Sequence, residues 1–295
     1  MEPRVTNARF ALCLALAALG MALGSGCAGE GGPPQVAQPG SPVERPETAG
    51  MELCWWIVGD SGEGGVPVNT LLEPYESRPV PLSWRAVEAW HANGLRVMSV
   101  PVDDVPALRK SLMPVGAVQT QWLGQATRWT EIARGPALAG PMTIGTDSGP
   151  LTLSAGGHLK LAMRCWSTAA AWSPEAAGPT VGALQLEVAP IFMPAPARQV
   201  LGQAMGESEP PLMFSRLGLE ATLLGEEAIL IIAEGPGESA ARRNVRGPED
   251  PALPTLGEAI LVPERGEARS GRRVVVVLTP SVPRAFRLLA TDSVR

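Results

Sequence analysis

Few residues in this chain have the types that chemistry needs, and their spacing decides what each can do. The 295-residue sequence holds two histidines, His91 and His158, and four cysteines, Cys13, Cys27, Cys54 and Cys165. Zinc-type sites take their Cys and His ligands in close pairs, and these six positions are scattered, so no metal ligand set is expected. There is no Gly-x-x-x-x-Gly-Lys phosphate loop, and no Gly-x-Ser-x-Gly elbow beyond the N-terminal segment. Asp103-Asp104 has the form of a paired carboxylate for acid/base work or metal binding. Its place just before a helix makes helix capping the better reading. Glu226-Glu227 precedes an apolar run and reads as the solvated start of a strand. No catalytic, cofactor-binding or metal-binding residue is expected, and a carboxylate-only site is the enzymatic alternative.

Gly59-Asp60-Ser61-Gly62 resembles the nucleophile segment of trypsin-like serine proteases. Nucleophilic serine needs a histidine base within hydrogen-bond reach and a carboxylate to orient it. In that family the histidine precedes the serine, whereas His91 and His158 both follow Ser61, and Glu63-Gly64 stands where the family has Gly-Pro. A glycine-rich turn leaving the first strand is the favoured reading. Thr146-Asp147-Ser148-Gly149-Pro150 is likewise a turn signal. His91, near the C-terminal end of a helix, is read as a favourable partner for the helix dipole. His158, at a hairpin turn, is read as solvent-facing.

The elements that must position these residues begin after an N-terminal segment with its own logic. Arg4 and Arg9 give a cationic start, and Phe10 to Leu23 is a 14-residue stretch without charge. A helix needs about 20 residues to cross a hydrocarbon core, so this pattern is a signal peptide covering residues 1–26, not a membrane span. Gly24-Ser25-Gly26-Cys27 resembles the bacterial lipoprotein cleavage box, with the Leu one place early at Leu23. The resemblance implies that Cys27 becomes the lipid-bearing first residue of the mature chain; ordinary cleavage after Gly24 or Gly26 is the alternative. Ala28 to Gly50 is rich in Gly and Pro with almost nothing apolar, so 27–50 reads as a disordered tether spanning about 25–30 Å.

Composition bounds the rest. A hydrophobic content of 45% is that of a globular body, and a net charge of -5 lacks the basic footprint of a nucleic-acid binder. Lys110 and Lys160 are the only lysines. Cys54 and Cys165 are each followed by Trp inside a strand-like run. An exported compartment permits a disulfide between them, and two buried thiols acting as small hydrophobes is the other reading; the sequence leaves both open. All eight tryptophans lie between Trp55 and Trp172. They are read mainly as core packing, with a sugar-stacking platform as the alternative.

Pattern reading predicts an α+β chain: a small α/β module, then a β-rich module, with mixed or antiparallel sheets. The expected boundary lies near residue 175, separating 51–175 from 183–295. In the first part Glu52 to Val58 is a strand. Ser83 to Asn93 is a helix capped by Ser83, with Trp84, Val87 and Trp90 along one side and Gly94 as its stop. Leu95 to Val100 is a strand, and Asp103 or Asp104 starts a helix through Val105, Leu108 and Leu112 that Pro114 ends. Val118 to Leu123 and Arg128 to Ile132 are short strands. Leu151 to Ser154 and His158 to Trp166 are read as a hairpin about Ala155-Gly156-Gly157. In the second part Leu184 to Val188 and Leu217 to Thr222 alternate as half-buried strands. Ala228 to Ala233 and Val274 to Leu278 are continuous apolar runs, the mark of central strands. Residues 235–254 read as a mobile loop, and Thr255-Leu256-Gly257-Glu258 has capping-box spacing.

The order of Gly182 to Pro190, Ala228 to Ala233, Pro254 to Gly257 and Val274 to Pro280 resembles the end of the bacterial secretin domain. The second Pro and Gly of that family's longer segment are absent, and no pore-forming stretch is found. The resemblance implies a non-pore relative tied to secretion or pilus machinery. The expected role is a non-enzymatic, lipid-anchored envelope protein that faces the periplasm and binds or assembles with a protein partner. A carboxylate-dependent envelope hydrolase and a saccharide-binding module are the alternatives.

Overall fold

Two apolar runs from the C-terminal half dictate the architecture, because each must be covered on both faces. The computed structural model describes residues 48–146, 149–171, 180–195, 198–200, 203–205, 210–234, 254–262 and 271–283. The expected signal peptide, Cys27 and the tether through residue 47 lie outside the described residues, as do 235–253 of the expected loop. The described residues fall in one unit by their contacts.

The runs are β13 (Glu227–Ala233) and β14 (Arg273–Ser281), paired antiparallel with Ile229 opposite Leu278 and Ile232 opposite Val275. They fill the middle of a five-stranded sheet flanked by β2 (Leu95–Pro101), β1 (Gly50–Val58) and β3 (Gln119–Gly124), in the order β2-β13-β14-β1-β3. Strand side chains alternate between faces. Ile229, Ile231, Ala233, Val276 and Leu278 enter one core, and Ala228, Leu230, Ile232, Val275 and Val277 enter the other.

The second of these cores lies under helices α1 (Val68–Glu76) and α3 (Val105–Leu112), through Val68, Leu72, Leu108 and Leu112. The first is closed by a second antiparallel sheet. Its spine is a hairpin of β7 (His158–Ala171) and β8 (Thr180–Met193), paired along 14 residues of each arm. β4 (Thr130–Arg134) pairs with β7, while β11 (Leu212–Met213) and β12 (Leu219–Leu223) pair with β8. Helices α2 (Trp84–Ala92) and α4 (Leu256–Leu261) add Trp90, Leu256, Ile260 and Leu261 to the same core. Strands β5 (Met142–Thr146) with β6 (Gly149–Leu153), and β9 (Arg198–Val200) with β10 (Gln203–Met205), form two separate ribbons.

The α+β class holds, with antiparallel sheets and a few helices. Every ladder among the described residues is antiparallel. Three finer expectations change. The boundary near residue 175 falls in the connection of the β7–β8 hairpin, and β13 and β14 from the second half sit between β2 and β1 from the first. The halves therefore interleave in one body and are not successive modules. The expected strand–helix–strand–helix unit does not pair its own strands: β1 and β2 are separated by β14 and β13. Leu151 and Leu153 pair with Ile144 and Met142 of β5, not with β7. Gly156 and Gly157 instead hydrogen-bond to Leu138, and a Cβ on Gly157 would lie 2.5 Å from the Phe192 ring.

Several local signals hold. Ser83 Oγ accepts from Ala86 N at 3.3 Å, and Gly94 ends α2 with φ +74°. Thr255 and Glu258 make both bonds of the capping box. Trp84 departs from expectation. Six helical residues rotate by about 600°, leaving Trp84 about 120° away from Trp90. Trp90 is fully buried, and Trp84 is 65% exposed. Helix α1 is absent from the sequence reading because Pro74 lies inside it and Pro67 offers no capping side chain.

A chain truncated at residue 175 would lose both central strands. We expect it to lack a cooperative thermal transition and near-ultraviolet dichroism, whereas the full chain shows both. A cooperative transition in the truncated chain would restore the two-module reading.

Candidate functional site

The residues singled out for chemistry divide by where the fold takes them. Asp60 is a structural anchor: its Oδ1 lies 3.5 Å from Nη2 of the buried Arg273, and its C=O accepts from Val68 N at 2.9 Å. Arg273 Nη1 also reaches Asn69 Oδ1 at 3.5 Å, and Arg96 Nη1 donates to that same oxygen at 3.0 Å. Ser61 bridges to Pro67, and a Cβ on Gly62 would sit 2.2 Å from the Ser111 carbonyl. The loop is a tight connection into α1, as the turn reading has it.

His91 occupies the last turn of α2, and its Nε2 lies 2.7 Å from Oε1 of Glu234, a carboxylate only 2% exposed. This partner lies 143 positions further along the chain and is not marked by any local pattern; the Glu234 N–H donates to the Gly94 carbonyl at 2.9 Å, which sets the end of β13 against the end of α2. His158 corrects its solvent-facing reading. It is half-buried at the start of β7, and burial first, then the nearby Arg134 charge, lowers its pKa below the ordinary imidazole value.

Cys54 and Cys165 are both buried free thiols. Cys54 lies in the core under the helices and Cys165 in the core between the sheets, so the first sheet stands between them and no disulfide forms. Cys54 Sγ lies 3.3 Å from Thr120 Oγ1, and Cys165 Sγ lies 3.4 Å from the Gly124 carbonyl. Burial pushes both thiols above the usual thiol pKa.

The two acidic pairs come together. Val102 N donates to the Glu226 carbonyl at 2.9 Å, which brings Asp103-Asp104 and Glu226-Glu227 to one end of the first sheet. Asp104 stands at the N-cap of α3, but its side chain makes no capping bond. Glu227 pairs with Arg78 at 3.9 Å.

The tryptophans separate into core and surface. Trp56 and Trp90 are buried, and Trp90 Nε1 donates to the Leu217 carbonyl at 2.6 Å. Half-buried Trp55 donates to the Ile132 carbonyl. On the outer face of the second sheet the Arg164 guanidinium lies 5.1 Å from the Trp129 ring centroid and 5.4 Å from that of Trp166. Glu187, directly opposite on β8, accepts from Arg164 Nε at 2.6 Å. Each cation–π contact contributes about 0.5–1 kcal/mol at an exposed site.

The most open interaction geometry lies at the rim of the first sheet. β3 is its last strand, pairing with β1 on one side and with no other described strand. Edges are commonly blunted by charge or proline, yet Gln119, Thr120, Gln121, Trp122, Leu123 and Gly124 include neither. The first three are exposed. Beside this edge an open groove of about 540 Å³ is lined by Pro106, Arg109, Lys110, Met113, Pro114 and Val118. Val118, which leads directly into β3 at Gln119, shares this lining with Arg109 and Lys110 of α3. Met113 ends α3 with φ +47°, a left-handed conformation costing a residue with a side chain of order 1–3 kcal/mol. It is 57% exposed there, and the chain continues along the rim through Val115, whose N–H donates to the Ile57 carbonyl at 2.7 Å. The sequence marked Val118 to Leu123 as a strand but not as an edge, since strand order depends on partners far away in sequence.

Comparison of the chain with protein-family models, with curated proteins and with solved structures finds no match.

The thiol assignment has a direct check. The two cysteines of the folded body should remain unreactive toward a thiol-exchange chromophore at neutral pH, and both should react on denaturation without reductant. A body that yields neither thiol after denaturation would restore the disulfide.

Proposed function

We propose that this chain is a non-enzymatic binding or assembly component of the cell envelope, held to a membrane by lipid on Cys27 and facing the periplasm. Secretion or pilus machinery is the setting that the C-terminal resemblance points to. The observation that carries the binding reading is the uncharged, exposed rim of β3 beside the groove. An open sheet edge offers a row of backbone donors and acceptors that another extended chain can complete. The acidic pairs meet at one end of the first sheet, but Glu227 is paired with Arg78 and none of their residues lines the groove. That arrangement supports a docking surface over a carboxylate hydrolase, whose acid and base need a shared cleft.

One observation favours a second reading, a saccharide-binding module. Trp129 and Trp166 both pack against Arg164, and Gln185, Glu187, Glu220 and Thr222 follow across the same outer face. Aromatic faces beside hydrogen-bonding side chains suit a pyranose ring. This reading expects retention on insoluble β-linked polysaccharide that Trp166→Ala abolishes; equal retention of the variant removes it.

The principal reading is tested by purifying the detergent-solubilised full chain from its native membrane and identifying what is retained. Envelope assembly proteins should co-purify reproducibly, and Cys27→Ala should shift the chain out of the membrane fraction and lose them. A chain recovered alone and soluble overturns both the anchor and the assembly role.

A further inference from the structure

We infer that the occupant of the β3 edge is an extended segment in which acidic and apolar side chains alternate, added to the first sheet as a sixth strand. The inference rests on the binding reading above and specifies the partner's chemistry. Three observations carry it. No described strand pairs with the outer side of β3, and a strand with neither charge nor proline accepts another strand readily. Arg109 and Lys110 line the adjoining groove, both are exposed, and no carboxylate among the described residues pairs with either. The remaining lining, Pro106, Met113, Pro114 and Val118, is apolar.

Register converts these into a pattern. Thr120 shares the helix-side face of the sheet with Cys54, as their side-chain contact requires, and Trp122, two residues on, faces the same way. A strand added outside β3 would direct every second side chain to that face, toward Arg109, Lys110 and Met113. Carboxylates on that set meet the two cations, and their methylene stems cover Met113 and Val118. Glu52 of β1, opposite Trp122, shares this face, and the two groove cations, with no carboxylate partner among the described residues, outnumber it. Such complementarity selects acidic over basic partners and speeds their encounter. Backbone ladder bonds supply affinity, and the groove supplies selectivity.

The test uses the full chain in detergent and a capped eight-residue peptide of alternating Val and Glu as probe, followed by fluorescence anisotropy. The probe should bind saturably. Its Val/Lys counterpart, and one of the two alternate N-methylated frames, should bind at least on the order of ten-fold more weakly. The double variant Arg109→Glu/Lys110→Glu should lose a similar factor while keeping the thermal transition of the unmodified chain. The inference is overturned by an acidic probe that does not bind, or by acidic and basic probes that bind equally. It is equally overturned if both N-methylated frames bind as the parent does. Self-association that the charge reversal abolishes would assign the edge to a second copy instead, and binding only to phosphatidylglycerol vesicles would assign the groove to a membrane surface. If the probe fails while envelope proteins still co-purify, the binding reading survives and only this partner chemistry falls. If the probe binds and nothing co-purifies, the reverse holds.

Discussion

The burial of β13 and β14 on both faces is the constraint from which the other layers follow. Ile229, Ile231 and Leu278 require a cover on one side, and Leu230, Ile232 and Val277 require one on the other. Each such side chain contributes about 1.5–3 kcal/mol when removed from water. Most of the cover comes from far away in sequence: α1 and α3 arrive from the first half and the β7–β8 hairpin from the middle, while β12 and α4 add a smaller share from beside the two strands. The chain is therefore tied together by contacts of long sequence separation, and its first half has no complete core without the second.

This also explains which parts of the fold were legible in the sequence. Period and length exposed β1, β2, β13, β14 and the helices at Trp84–Ala92 and Val105–Leu112, because alternation and capping residues are local. The capping box at Thr255 was legible for the same reason. Strand order was not. A continuous apolar run says that both faces are covered, but it does not say by what. The division near residue 175 failed on that point, since a cluster of tryptophans followed by a Pro- and Gly-containing stretch looks the same whether it joins two bodies or turns a long hairpin. The β5–β6 pairing failed likewise: a Gly-Gly signal beside an alternating strand names a turn, yet Leu138 and Phe192 take up those glycines.

The candidate site was the least legible part, for a related physical reason. The residues that could do chemistry by type turned out to hold structure. Asp60 anchors Arg273, His91 meets Glu234, and Cys54 and Cys165 fill two cores on opposite sides of one sheet. The proposed docking surface is made instead of Gln119, Thr120, Gln121, Met113 and two cations, none of which stands out in the sequence. An edge is defined by the absence of a neighbouring strand, and a groove by what a helix end leaves uncovered. Both are properties of the assembled sheet. The left-handed Met113, where glycine or asparagine would ordinarily end a helix, is the one local trace of it.

Hydrogen exchange of the full chain, read strand by strand with and without the acidic eight-residue probe, tests the central claim most directly. Amides of β13 and β14 should exchange last, the outward-pointing amides of Gln119 to Gln121 should exchange early, and the probe should slow these without altering β4 or β12. Outward-pointing amides of β3 that are as protected as those of β1 before any probe is added would contradict the account, because the edge would then already be occupied.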